Sequence, residues 1–215
     1  GASDEVDMSG SKKAGWTMAA AALLILTIGG GALLYVNRAA VFKGPVVAEA
    51  PNSELARFAT GSLARLETPG ELVMAPDHGF KARDGSVVRF ADFRGKVVVV
   101  NLWAMWCAPC RTEMPTIARM AELYAGRDLM VLPVNVDTGD DAIADAISFI
   151  DVHEPLPFYS DPEFRLPFVF PGKGKMPQTI LLDRQGRIRA AFAGEADWSS
   201  AEARALIDAL LAEPD

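Results

Sequence analysis

The stretch that most constrains this chain is Val97 to Pro115, VVVVNLWAMWCAPCRTEMP. Its first six residues are apolar, mostly β-branched and, Asn101 apart, show no polar face. They predict a strand covered on both sides and placed at the centre of a sheet. The strand runs into Trp106-Cys107-Ala108-Pro109-Cys110 and then into helix formers with Glu113, which puts Cys107 at a helix N-terminus. Unpaired N–H groups and the positive end of the helix dipole favour a thiolate there, and in Cys-X-X-Cys settings the thiol pKa falls from about 8.5 to roughly 3.5–7.5. Cys107 is therefore the candidate nucleophile. Cys110, one turn on and more shielded, is the candidate resolving thiol that attacks a mixed disulfide.

The same spacing also makes half of a zinc site. That alternative fails on supply, because the chain has only two cysteines and its two histidines, His78 and His153, lie far away in sequence on either side. Both histidines read as surface or loop residues, and no metal or cofactor is expected. Two thiols that merely packed in a core would have no reason to follow a tryptophan at a strand-to-helix junction. A net charge of −7 leaves no basic footprint for nucleic acid.

The N-terminal quarter has a different character. Residues 1–13 read as a tail, with Gly1 to Asp7 acidic and small before a fresh-looking start at Met8, and that first piece reads as an addition to the natural chain. Ala14 to Val36 is a run of 23 residues without a charge, with Trp16 and Tyr35 near its ends. It is long enough to cross a hydrocarbon core of roughly 30 Å, and aromatic ends suit the interfaces. A signal peptide would have an apolar region of about 7–15 residues, and the only A-x-A-like site, Ala48-Glu49-Ala50, is followed by Pro51. A core helix would need a polar face, and this run has none. The expectation is an uncleaved transmembrane anchor over 14–36. Lys12 and Lys13 before it balance Arg38 and Lys43 after it, so charge does not set its orientation. Residues 37–70 read as a linker, in which Leu55, Phe58, Leu63 and Leu66 allow either a short amphipathic helix or a tether that packs weakly on the domain.

The remainder, 71–215, reads as one folded domain. Phe80 to Arg83 and Val87 to Phe90 flank Asp84-Gly85, a hairpin signal. Leu129 to Val136 predicts a second buried strand parallel to the first, with Pro133 as a blemish. Asp140 to His153 is helical by pattern. A proline-rich loop follows over Glu154 to Lys175, long enough to be functional. Gln178 to Asp183 and Arg187 to Ala193 flank Arg184-Gln185-Gly186 as another hairpin, and Ser199 is expected to cap a last helix to about Ala212. The order ββ, βαβα, ββα predicts an α/β/α three-layer sandwich around a central mixed sheet.

Trp-Cys-Ala-Pro-Cys after an apolar strand, Pro115 five residues beyond Cys110, and Met176-Pro177 before Thr179-Ile180-Leu181-Leu182 together resemble the thioredoxin superfamily. Within it, FADFRGKVVVVNLWAMWCAPCRTEMP, VNVDTGD at Val134 to Asp140, KMPQTILLDRQGRI at Lys175 to Ile188 and GEADWSSAEA at Gly194 to Ala203 are similar to the membrane-anchored, periplasmic TlpA group. The likeness runs from about Glu71 to Leu211. It implies a thioredoxin fold, a cis bond at Met176-Pro177 facing the cysteines, and a partner-binding surface made of Trp106, Ala108, Pro109, Met176 and Pro177. Met-Pro by itself is merely permissive for cis. The resemblance further implies a protein-disulfide reductase, held on the inner membrane with its catalytic domain in the periplasm. Its partners would be cysteine-containing periplasmic proteins and a membrane electron donor of the CcdA/DsbD type. The substrates implied are disulfides of copper-site assembly proteins, such as Sco-type chaperones and oxidase subunit II, in cytochrome oxidase maturation.

Alternatives are a reductase for apocytochrome c haem ligation, a copper chaperone, which would need an imidazole near the sulfurs, and a peroxidase, whose cysteine environment differs from Trp-Cys-Ala-Pro-Cys. The direction of electron flow is not legible in the residues.

Glu113, three residues beyond Cys110, is either a base for the resolving thiol or an ordinary solvent-facing glutamate. Asn101 departs from thioredoxin, which has a buried aspartate at that position. An amide cannot take a proton, so the base must be Glu113 or water.

Overall fold

The computed structural model describes residues 53–215. The expected anchor at 14–36 lies outside the described residues, and among those described no helix is long and apolar enough to cross a membrane. The chain order is β1 (Phe80–Ala82), β2 (Val87–Val88), β3 (Val97–Trp103), α1 (Ala108–Leu123), β4 (Leu129–Asn135), α2 (Asp140–Asp151), β5 (Tyr159–Ser160), α3 (Leu166–Val169), β6 (Gln178–Leu182), β7 (Ile188–Ala193) and α4 (Ala201–Leu211). One seven-stranded mixed sheet forms in the order β2-β1-β5-β4-β3-β6-β7. β3 is an interior strand, fifth of the seven, parallel to β4 from Val97↔Leu129 to Trp103↔Asn135 and antiparallel to β6. Every residue of β3 is buried, as its unbroken apolar run requires. Pro133 is tolerated because β5 joins β4 only from Val134 onward, so at Pro133 the strand has no β5 neighbour to bond.

Alternation along β3 sorts the core. Val97, Val99 and Trp103 point into a cluster with α1, α2 and α4. Val98, Val100 and Leu102 point the other way, against Phe80, Phe90, Leu166 and Phe170. The expected three layers are therefore unequal. Three full helices cover one face, whereas the second is covered by a turn at Phe90–Phe93 and the four residues of α3.

Three other expectations are sharpened or corrected. Of the two readings of the linker, the weakly packed tether is the one that fails from Ser53 onward: a short helical turn spans Ser53–Phe58 and Leu55, Leu63 and Leu66 are buried in the helical-face cluster, because the apolar side of α4 would otherwise face water. Residues 67 to 74 continue along β7, bridging Glu67 to Ala191 and Met74 to Arg187, and so cover an edge that would otherwise be open. The proline-rich stretch, read as a loop long enough to be functional, carries the short elements β5 and α3 and a cis bond at Glu154-Pro155. Finally, the cap of α4 is Ser200, whose hydroxyl accepts from the Ala203 N–H; Ser199 instead donates to Asp197 Oδ1.

Candidate active site

Cys107 sits in extended backbone as the N-cap of α1, with Pro109 in the first turn where no N–H is needed. The loop presenting it is fixed from below. Asp137 Oδ2 accepts from the Met105 N–H at 2.8 Å and from Asn135 Nδ2 at 2.7 Å, and the Val136 N–H donates to the Trp103 carbonyl. The VNVDTGD segment thus holds the turn that carries Trp106. Cys107 and Cys110 are joined as a disulfide, with Cα atoms 5.3 Å apart. Cys107 is 5 % exposed and Cys110 fully buried, which is the order expected of attacking and resolving sulfurs. Trp106, 61 % exposed, forms the rim; Trp103 is in the core against Phe149.

Glu113 is not solvent-facing. It is 1 % exposed, and its carboxylate lies among donors from three parts of the chain. Oε1 accepts from Asn101 Nδ2 at 2.8 Å, and Oε2 accepts from the Ala196 N–H at 3.1 Å and the Trp198 indole N–H at 3.3 Å. Asn101 also donates to Thr179 Oγ1 at 3.0 Å. Burial pushes the Glu113 carboxyl up to about 7; the bonds from Asn101, Ala196 and Trp198 oppose the rise, and the charge of Glu195 adds to it. A surface groove lined by Ser62, Thr112, Thr116, Glu195, Ala196 and Asp197 reaches this residue.

The Met176-Pro177 bond is cis. Met176 packs against both core clusters, and Gln178 ties the preceding turn down by accepting from the Gly172 N–H and donating to the Pro167 carbonyl. Between this turn and Trp106 stands an aromatic ridge that the sequence did not reveal. Phe164 lies 6.1 Å from Trp106 and 5.4 Å from Phe168, each ring edge-on. Asp161 shapes the ridge, its Oδ2 accepting from the N–H groups of Arg165 and Leu166, and its Oδ1 pairs with His78 Nε2 at 3.3 Å. His153 instead stacks on Phe149 at 4.5 Å. The other residues missed were Thr179, Ala196 and Trp198. All three lie inside segments whose likeness to the TlpA group was legible, KMPQTILLDRQGRI and GEADWSSAEA, but nothing local marked them as neighbours of Glu113.

A family model described as the AhpC/TSA family matches residues 73–191. The chain belongs to the AhpC/TSA family. It is 30 % identical over 128 residues to the thioredoxin-like protein YneN of Bacillus subtilis, covering 56 % of this chain and 69 % of that protein. Over 123 residues it is 28 % identical to the thiol-disulfide oxidoreductase ResA of Geobacillus thermodenitrificans, covering 56 % and 67 %. A Chlorobium tepidum structure, provisionally called thiol:disulfide interchange protein DsbE, superposes with a TM-score of 0.58 at 29 % identity, over 66 % of this chain and 97 % of that one. The AhpC/TSA member described here thus has a thioredoxin-like α/β fold. Its Cys107–Cys110 pair is the redox disulfide of a thiol-disulfide oxidoreductase of the ResA and DsbE type.

Proposed function

We propose that this protein is a membrane-tethered reductase that passes two electrons from its dithiol to disulfides of exported, cysteine-containing proteins. The observation that carries the reading is the asymmetry of the pair: a slightly exposed sulfur beside the exposed Trp106, and a fully buried sulfur one helical turn from a buried carboxyl that burial pushes up to about 7. In the reduced protein the Cys107 thiolate attacks one sulfur of the partner's disulfide. A mixed disulfide forms and the partner's other sulfur leaves as a thiolate. Cys110 then gives its proton to Glu113 and attacks the Cys107 sulfur, so that the partner's second thiolate departs and the Cys107–Cys110 disulfide remains. Partner proteins whose disulfides persist long enough to need a dedicated reductase belong outside the reducing cytoplasm, and a span at 14–36 would hold the domain there. Electrons would return through a membrane donor of the CcdA/DsbD type.

Among substrates, the likeness to the TlpA group supports copper-site assembly proteins, namely Sco-type chaperones and oxidase subunit II; apocytochrome c cysteines are the alternative. The first test is the equilibrium reduction potential against glutathione. A value near about −270 mV is expected of a reductant, and one near about −120 mV would reverse the direction of electron flow. The second is single-turnover reduction of an oxidised Sco-type protein beside an oxidised apocytochrome c peptide. Faster reduction of the peptide would transfer the role to haem ligation.

A further inference from the structure

The two oxygens of Glu113 are held in different ways. Oε2 meets two groups that only donate, the Ala196 N–H and the Trp198 indole N–H. Neither can turn round. The Trp198 ring is fully buried, lies edge-on to Phe192 at 6.0 Å, and its backbone N–H donates to Thr116 Oγ1 at 3.1 Å. Thr116 in turn donates to the Glu113 carbonyl at 2.7 Å, so one threonine locks the tryptophan to the helix turn that carries the base. Oε1 faces the side-chain amide of Asn101, a group that can present oxygen as well as nitrogen, and beyond it the hydroxyl of Thr179, which can donate or accept. Asn101 Oδ1 is moreover a buried acceptor with no hydrogen-bond partner.

We infer that Trp198 is a positioning residue for the resolving step: with the Ala196 N–H it keeps Oε2 an acceptor throughout the cycle and confines the incoming proton to Oε1, on the Asn101 side. A proton on Oε2 would aim a hydrogen at two buried donors that cannot move aside. A proton on Oε1 meets a side that can answer it, where the Asn101 amide offers an acceptor oxygen and Thr179 a hydroxyl. The inference rests on Glu113 being the acceptor of the Cys110 proton. Other titratable groups facing the carboxyl are Glu195 from the same loop as Trp198, Asp197 along the groove, and the two thiols of α1 once reduced. β3 and β6 bring only Asn101 and Thr179. Losing the indole donor removes a bond that favours the carboxylate, so the Glu113 midpoint rises.

The test uses the full chain in detergent, labelled at the four tryptophan indoles and at the glutamate carboxyls. The Trp198 indole N–H resonance is expected to titrate with the midpoint of the Glu113 carboxyl and to stop doing so in Glu113→Gln. In Trp198→Phe the Glu113 midpoint should rise by about one unit, a tenfold change in proton affinity, and the pH profile for resolution of a mixed disulfide should move with it. An indole signal that stays flat through the Glu113 titration overturns the inference, and it does so on unmutated protein should Trp198→Phe fail to fold. So does a Trp198→Phe protein with an unchanged profile. If Glu113→Gln itself leaves resolution untouched, the underlying role of Glu113 falls instead.

Discussion

The surroundings of the two sulfurs differ in almost every physical respect. Next to Cys107 the protein leaves large apolar side chains in water, with Trp106 61 % exposed and Phe168, joined to it through Phe164, 60 % exposed. Around Cys110 it does the reverse and buries polar groups, Glu113, Asn101 and Thr179, each 1 % exposed or less. Exposed aromatics suit contact with a partner's surface. A buried hydrogen-bonded carboxyl suits proton transfer at neutral pH and contributes nothing to partner choice. On the proposed function the disulfide divides recognition from proton handling, and each side should be separable by mutation.

The sharpest division comes from the cysteines. Cys110→Ser should abolish turnover and leave a partner trapped on Cys107 as a stable mixed disulfide on non-reducing gels. Trapping seen only with Cys107→Ser would reverse the assignment of the two sides.

On the Cys110 side, Glu113→Gln should slow resolution near neutral pH by roughly 10²–10⁴-fold, the usual contribution of a positioned base, while initial attack by Cys107 on a partner stays unchanged. The same residue sets a pH dependence of stability. Its folded pKa of about 7 lies above the ordinary 4.5, so the folded state holds the proton more tightly than the unfolded one. Its contribution is fully present below about pH 4.5 and is lost as pH rises through about 7. Denaturant unfolding of the oxidised protein should therefore show stability falling across that window, and Glu113→Gln should flatten the fall.

The two sides were not equally legible. The strand, the helix and both sulfurs follow from a continuous apolar run meeting Cys-X-X-Cys, because period and helix-end chemistry are local. Asn101 was legible as an anomaly, an amide where a base was expected, but its meaning required Glu113, whose burial depends on Ala196 and Trp198, 83 and 85 residues away. No local pattern encodes such a contact. Residues 53–70 were left undecided between a short helix and a loose tether for a related reason. Leu55, Leu63 and Leu66 look like a weak amphipathic repeat until α4 supplies the apolar face that they cover. The aromatic ridge hid behind prolines, since Pro162 and Pro167 suggest a loop while Phe164, at φ 55°, and Gly174, at φ 88°, turn the backbone in ways that composition does not announce. A side chain at Gly174 would also meet the Phe168 ring.

The segment before the domain, residues 53–70, supports the Cys110 side from outside. The Ser62 N–H donates to Glu202 Oε1 at 2.6 Å, Ser62 Oγ donates to the Asp197 carbonyl at 3.5 Å, and the Arg65 guanidinium lies over Phe192 at 5.3 Å. Phe192 packs on Trp198, so this stretch braces the loop that holds Glu113. Leu63→Ala should cost about 2–5 kcal/mol in denaturant unfolding, as for other fully buried leucines, and should loosen Ala196 and Trp198 before it touches the rim. Amide exchange is expected to rise at 194–198 and to stay unchanged at 161–170. A matching rise at the ridge would mean that the two sides are not independent.

The smallest expected effect lies at the rim. Trp106→Ala removes a large exposed ring beside Cys107, and such a ring at an interface is worth about 1–2 kcal/mol, roughly a tenfold loss in kcat/KM for a protein disulfide. Phe168→Ser should cost less, because its ring reaches Trp106 only through Phe164. The comparison predicts a selective deficit. Both variants should reduce a small disulfide such as oxidised glutathione at the unmutated rate, since neither side chain enters the hydrogen-bond set around Glu113, and the pH profile of resolution should keep its inflection near the Glu113 midpoint. An equal loss toward small and protein disulfides would place Trp106 in the reactivity of the sulfur instead of in recognition. The rim would then belong with Glu113 and Trp198 as part of one electrostatic unit, and the separation between the two sides of the disulfide would fail.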